Sequence, residues 1–225
     1  MADLNKWLPG LKEMRENFDK QSIKSGSDFY TKMNLLQDEI QKCTKCELCK
    51  LEVNMLDKSK GYGKLPIKYG DMNWLMIGVN PSIRRFKDFC AFGGRTGGDF
   101  LDKLVKEAGY DKDNFYITNV CRCSTPANRP LEEKEIASCW NYLESEVKLV
   151  DPDIVVLLGS LPASMFSLVT HRVVKQVVVG RERILVYLPH PSFVERTGTG
   201  REKYKLLLDE AFSQLKYMNS KTLSG

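Results

Sequence analysis

The sequence predicts an α/β fold: a three-layer α/β/α sandwich with a central, mostly parallel four-stranded sheet and an N-terminal helical extension. Three observations carry that prediction. Apolar runs of strand length recur at residues 74–79 (WLMIGV), 114–120 (NFYITNV), 154–158 (IVVLL) and 184–188 (ILVYL). Helical patterns separate most of them, as expected of parallel strands joined by crossover helices. The runs are nearly continuous rather than alternating, as in strands buried on both faces.

Taken in order, residues 1–42 read as a helical extension packed on the domain. Leu4, Trp7, Leu8, Leu11 and Met14 recur at helical spacing, and a second amphipathic stretch follows Ser25-Gly26-Ser27 over 29–40. Residues 43–217 form the main domain and 218–225 a flexible tail. The Lys- and Gly-rich stretch 50–70 reads as loop. The first strand breaks at Gly78-Val79-Asn80-Pro81-Ser82. The loop that follows closes on Gly93-Gly94-Arg95-Thr96-Gly97-Gly98 and enters a helix at about Asp99, which Gly109 ends as a natural C′ residue. After the second strand comes a Pro-containing loop, CRCSTPANRP, and a long helix over 132–150 with acidic residues where the helix dipole favours them. The third strand, a short helix at 162–168, two β-rich runs at 173–179 and 184–188, a loop at LPHPS and a helix over 201–217 complete the chain.

In open α/β sheets, ligands bind beyond the carboxyl ends of the strands. Three loops are expected there, carrying Asn80, Asn119 and His190. The first also holds Asp88, Phe92 and glycines, and reads as the floor of a pocket.

Composition narrows the class. A chain of 225 residues, 42% hydrophobic and 28% charged, can bury a core without staples. No apolar run reaches the roughly 18 residues of a membrane span, and the first residues lack the pattern of a secretory signal. A cytoplasmic monomer with no membrane partner is expected. The net charge of +5 permits a nucleic acid partner without demanding one. Seven cysteines, an odd number in such a compartment, are not expected to form disulfides. Cys43-x2-Cys46 has metal-ligand spacing, and Cys123 and Cys139 could complete a four-thiolate site. Zinc and an iron–sulfur cluster both suit four cysteines, and spacing leaves the choice open. Either would clamp the N-terminal segment to the sheet. Cys49, Cys90 and Cys121 read as small apolar filling.

The motifs, taken together, resemble the uracil-DNA glycosylase superfamily, and most closely its iron–sulfur branch, family 4. CTKCELC resembles that branch's CxxCxLC. IGVNPS stands where GEAPG stands, and AFGGRTGGDFLDKL resembles PFVGRAGQLLDKLL. YITNVCRCSTPANRP resembles YITNVVKCRPPxNRxP, DPDIVVLLG resembles PxVIVxLG, and LPHPS contains HPS. The likeness runs from Cys43 to the last helix.

The resemblance implies a structural 4Fe–4S cluster on Cys43, Cys46, Cys123 and Cys139. It implies that Phe92 stacks on a flipped base, that Asn119 reads the pyrimidine edge, and that His190 stabilises charge developing on the pyrimidine O2. Ser192, Phe193 and Arg196 would enter or hold the duplex, with Arg84 and Arg85 on phosphates. Physical chemistry suits these roles. A base must leave the duplex to be reached, at a cost of a few kcal/mol. An aromatic face and an amide can recover that cost. A donor aimed at a developing anion contributes roughly 3 kcal/mol. Of the two histidines, His171 lies at a helix-to-strand junction and is expected to have no role.

Two departures from the family-4 pattern bear on substrate. Val79-Asn80 replaces Glu-Ala, so GVNPS is closer to the GINPG of the mismatch-specific family 2, where the asparagine positions the attacking water. Gly93 replaces a valine, which would enlarge the pocket near the pyrimidine C5. The expected function is a monofunctional DNA glycosylase. It would flip out uracil, or a bulkier C5-modified base such as those of hypermodified phage DNA, and leave an abasic site. The alternative is a non-catalytic nucleic-acid-binding module on the same fold.

Overall fold

A computed structural model of the protein describes residues 26–51, 74–81, 97–111 and 115–222. Arg84, Arg85, Phe92 and Gly93 lie outside these residues, as do positions 1–25 of the N-terminal extension.

Helix α1 (Gly26–Gln41) is followed by a 3-10 turn at Glu47–Lys50. Then come β1 (Trp74–Gly78), α2 (Gly97–Glu107), β2 (Phe115–Asn119), α3 (Glu133–Val150), β3 (Ile154–Leu158) and α4 (Ser160–Met165). The chain continues through β4 (Val173–Val178), β5 (Arg181–Leu188), α5 (Pro191–Thr197) and α6 (Arg201–Thr222). The sheet order is β2-β1-β3-β5-β4. The first four of these pair in parallel, and β4 is added antiparallel at the edge. The four parallel strands are those the apolar runs mark, and the sheet thus has five strands in all. The fifth arises because Val179 and Gly180, both at positive φ (46° and 84°), make the tight two-residue turn that a hairpin requires.

Every residue of β1, β2 and β3 is buried. Side chains alternate between two cores, since successive residues of a strand point to opposite faces. Leu75, Ile77, Tyr116, Val155, Leu157 and Leu185 meet Met33, Leu36 and Ile40 of α1 and Leu143 and Val147 of α3. Trp74, Met76, Ile117, Val156 and Val186 meet Leu101, Leu104 and Val105 of α2 and Tyr204, Leu208 and Ala211 of α6. The result is three layers, with α1, α3 and α4 on one face and α2, α5 and α6 on the other.

Helix α3 is strongly set at both ends. Glu132 and Glu135 form a reciprocal capping box, and Asp151 closes the helix in a left-handed conformation. Strand β1 connects through α2 to β2 on one side, and the chain then passes over β1 through α3 to β3 on the other. In open α/β sheets such a reversal, here between β1 and β3, marks where ligands bind, beyond the carboxyl ends of the strands.

Candidate functional site

Asn80 follows β1 by two residues. Its amide nitrogen donates to the carbonyls of Pro81 (3.3 Å) and Cys123 (3.4 Å). With the NH₂ group committed to backbone, the side-chain oxygen Oδ1 is the atom suited to accept from a ligand or water. Val79 beside it accepts from the Cys121 amide at 3.0 Å, so the pairing of β1 and β2 continues into their loops.

Asn119 ends β2, opposite Gly78 in the register. It is only 5% exposed, and no hydrogen bond engages its side chain among the described residues.

His190 follows β5 and caps α5. Its Nδ1 accepts from the Ser192 amide at 3.2 Å. A ring whose Nδ1 accepts carries its proton on Nε2 when neutral, which makes Nε2–H the donor. The surrounding loop is tied down twice. The Tyr204 hydroxyl, on a side chain 1% exposed, donates to the Pro189 carbonyl at 2.8 Å. The Gly159 amide donates to the Leu188 carbonyl at 2.9 Å. Gly159 has φ +98°, and a Cβ there would lie 3.2 Å from His190 Cβ.

The segment after His190, expected as loop, is the helix α5. Pro191 sits at its first turn, where a missing N–H is harmless, and Gly198 closes it at φ 69°. Ser192 is half-buried, while Phe193 (45% exposed) and Arg196 stand exposed one turn apart. Arg201 donates to both carboxylate oxygens of Glu107 at 2.8 Å. His171 stacks edge-on against Tyr187.

Four cysteines share one cluster. Cys121, Cys123 and Cys139 are buried with Leu48, and Cys46 packs against them. The charges of Cys139 and Cys43 both bear on the Cys46 thiol, whose pKa is raised chiefly by burial. Cys121 Sγ lies 3.5 Å from Cys139 Sγ. By accepting that hydrogen bond, and with the Arg122 amide, the Arg122 charge and Lys45 nearby outweighing burial, the Cys139 thiol is lowered to about 6. Donating to Cys139 pushes the Cys121 thiol far up. Among the described residues no three groups stand at metal-binding distances. The donor set nevertheless suits a thiophilic centre: soft thiols from the segment after α1, the loop after β2 and α3, gathered in apolar surroundings, one already favouring thiolate.

Sequence patterns did not reveal the polar centre beneath this loop. Glu146 of α3 has no exposed side-chain surface and accepts from the hydroxyls of Tyr116 (3.0 Å) and Thr118 (2.6 Å). Arg122, 3% exposed, donates to Glu146 and to Thr118. Burial opposes its charge, but Glu146 and Tyr116 hold it above the ordinary arginine range. An acidic position on an amphipathic helix and a lone arginine between two cysteines carry no sequence signal of this pairing.

The family model described as "Uracil DNA glycosylase superfamily" matches residues 67–216. A Type-4 uracil-DNA glycosylase of Thermotoga maritima is 31% identical over 137 residues, 61% of this chain and 68% of that protein. One from Sulfurisphaera tokodaii is 33% identical over 125 residues, 55% of this chain and 53% of that protein. One from Archaeoglobus fulgidus is 26% identical over 178 residues, 74% of this chain and 85% of that protein.

Proposed function

The chain belongs to the Uracil DNA glycosylase superfamily, a family of hydrolases of N-glycosyl bonds, and from that premise we propose that it excises uracil from DNA. The observation that carries the reading is the placement of three side chains at the carboxyl ends of β1, β2 and β5, parallel strands of one sheet. They are Asn80, with its NH₂ tied back, Asn119, whose side chain makes no hydrogen bond among the described residues, and His190, with Nδ1 occupied.

In this reading the target pyrimidine leaves the duplex and enters the crevice. Asn119 presents both a donor and an acceptor, which fits the O4 and N3–H of uracil. Phe92 stacks on the base and recovers part of the unstacking cost. Asn80 holds water through Oδ1 on the side of C1′. The C1′–N1 bond breaks, its electron pair leaves with the base, and negative charge gathers on O2. His190 donates from Nε2 to that oxygen. One such preorganised donor lowers the barrier by about 3 kcal/mol. Water adds its oxygen to C1′ and loses a proton to solvent, since an amide is a poor base. The products are free base and an abasic site, with no strand cleavage by the enzyme.

Cys43, Cys46, Cys123 and Cys139 would hold a 4Fe–4S cluster, whose contribution is structural. It would fasten the segment after α1 to the loop after β2. Exposed Phe193 and Arg196 on α5 would meet the duplex beside the gap, and Arg84 and Arg85 its phosphates. The enzyme would act as a monomer.

A second reading rests on Gly93 in place of a larger side chain: the substrate is then a pyrimidine bulkier at C5. A substrate panel separates the two. Duplexes carrying uracil opposite guanine or adenine, thymine opposite guanine, and C5-modified pyrimidines are incubated with the protein and treated with alkali. Cleavage confined to uracil supports the first reading. Cleavage of the bulky bases with none at uracil replaces it by the second.

A further inference from the structure

We propose that the buried Glu146–Arg122 pair is a positioning strut for the candidate site, holding the end of β2 that carries Asn119, and the loop after it that fixes Asn80, against the helix that carries Cys139. The proposal rests on the proposed reading for the roles of Asn119 and Asn80, and on geometry for the strut itself.

The geometry has three parts. Thr118 immediately precedes Asn119, and its hydroxyl both donates to Glu146 and accepts from Arg122. Tyr116, two residues earlier on the same face of β2, donates to the other carboxylate oxygen of Glu146. Arg122 lies between Cys121 and Cys123, so its clamp on Glu146 fixes the start of the cysteine loop. The Cys123 carbonyl in turn accepts from the Asn80 amide. One carboxylate from α3 thus sets the backbone on both sides of Asn119 and, through Cys123, the rotamer of Asn80. Cys139 lies two turns before Glu146 on the same helix, so the thiols and the amides share one anchor.

A charge pair removed this fully from water is a poor source of stability. Apolar replacements of similar size are often as stable. Its value lies in geometry: four hydrogen bonds of fixed direction hold a loop that apolar contacts would leave free to shift. Misplacement of a catalytic group by about 1 Å can lower a rate by roughly 100-fold.

The test uses the full chain with two variants. R122M/E146L replaces both charges by apolar side chains, and Thr118→Val removes only the bridging hydroxyl. For each, hydrogen exchange of peptides spanning 116–125 is compared with that of peptides from β5, and single-turnover uracil release is measured beside the affinity for an undamaged duplex. The strut predicts faster exchange confined to 116–125. It also predicts release slowed roughly 100-fold in R122M/E146L and roughly 10-fold in Thr118→Val, with duplex affinity unchanged. Unchanged exchange in Thr118→Val overturns the strut, even if R122M/E146L fails to fold. Faster exchange with undiminished release overturns the positioning role. If the wild-type protein releases no uracil, the proposed reaction falls, and exchange still decides the strut.

Discussion

At the scale of single residues, the site depends on side chains whose polar atoms are already assigned. His190 has one nitrogen accepting from the Ser192 amide, which leaves the other as donor. Asn80 has its nitrogen donating to two backbone carbonyls, which makes Oδ1 its acceptor atom. Gly159 matters through what it lacks. Its φ of +98° belongs to a region almost restricted to glycine, and it lies against the His190 side chain. Gly159→Ala is expected to destabilise the fold by about 1–3 kcal/mol and to displace His190, lowering kcat with little change in duplex affinity. Melting temperature and single-turnover rate, measured together, check this. His190 and Asn119 were legible in the sequence because strand-end positions follow from topology. Gly159 was legible only as the end of an apolar strand, because contact with a histidine 31 positions away is a fact of packing.

At the scale of elements, the parallel strands and long helices were readable because burial on both sheet faces leaves continuous apolar runs. Helix α5 was not. Its seven residues are too few to show a period, and Pro189 and Pro191 around His190 resemble loop chemistry. Yet proline at the first turn is a helix-start feature. As a helix, α5 presents Phe193 and Arg196 together, one turn apart. If they meet the duplex, Phe193→Ala should reduce excision from double-stranded DNA several-fold more than from single strands, because only the duplex must be held open. Equal losses on both substrates would place Phe193 outside the flipping step. Of the four cysteines expected at one site, Cys46, Cys123 and Cys139 share an apolar cluster, while Cys43 packs against the core between the sheet and α1 and α3. Cys121, read as filler, proves to lie against Cys139, since a strand-end loop that turns sharply brings alternate residues to one cluster.

At the scale of the whole molecule, the mostly parallel sheet and its layers followed from the alternation of runs, and the fifth strand is the β-rich run at 173–179, folded back antiparallel on β5 by a two-residue turn whose positive φ angles no pattern announces. The polar centre on Glu146 was invisible because it joins a strand, a loop and a helix far apart in sequence. The same centre links the proposed cluster site to the proposed base pocket, so one scaffold serves both. The net charge of +5 suits a polyanionic partner. The central claim is that the strand ends form a uracil-excising site in which His190 stabilises the departing base. It is tested most directly by single-turnover release of free uracil from a U:G duplex, for the wild-type protein and for His190→Ala. The account predicts uracil and an alkali-labile site from the wild type, and a rate roughly 100- to 1000-fold lower in the variant. No base release by the wild type, or equal rates in the two proteins, would contradict it.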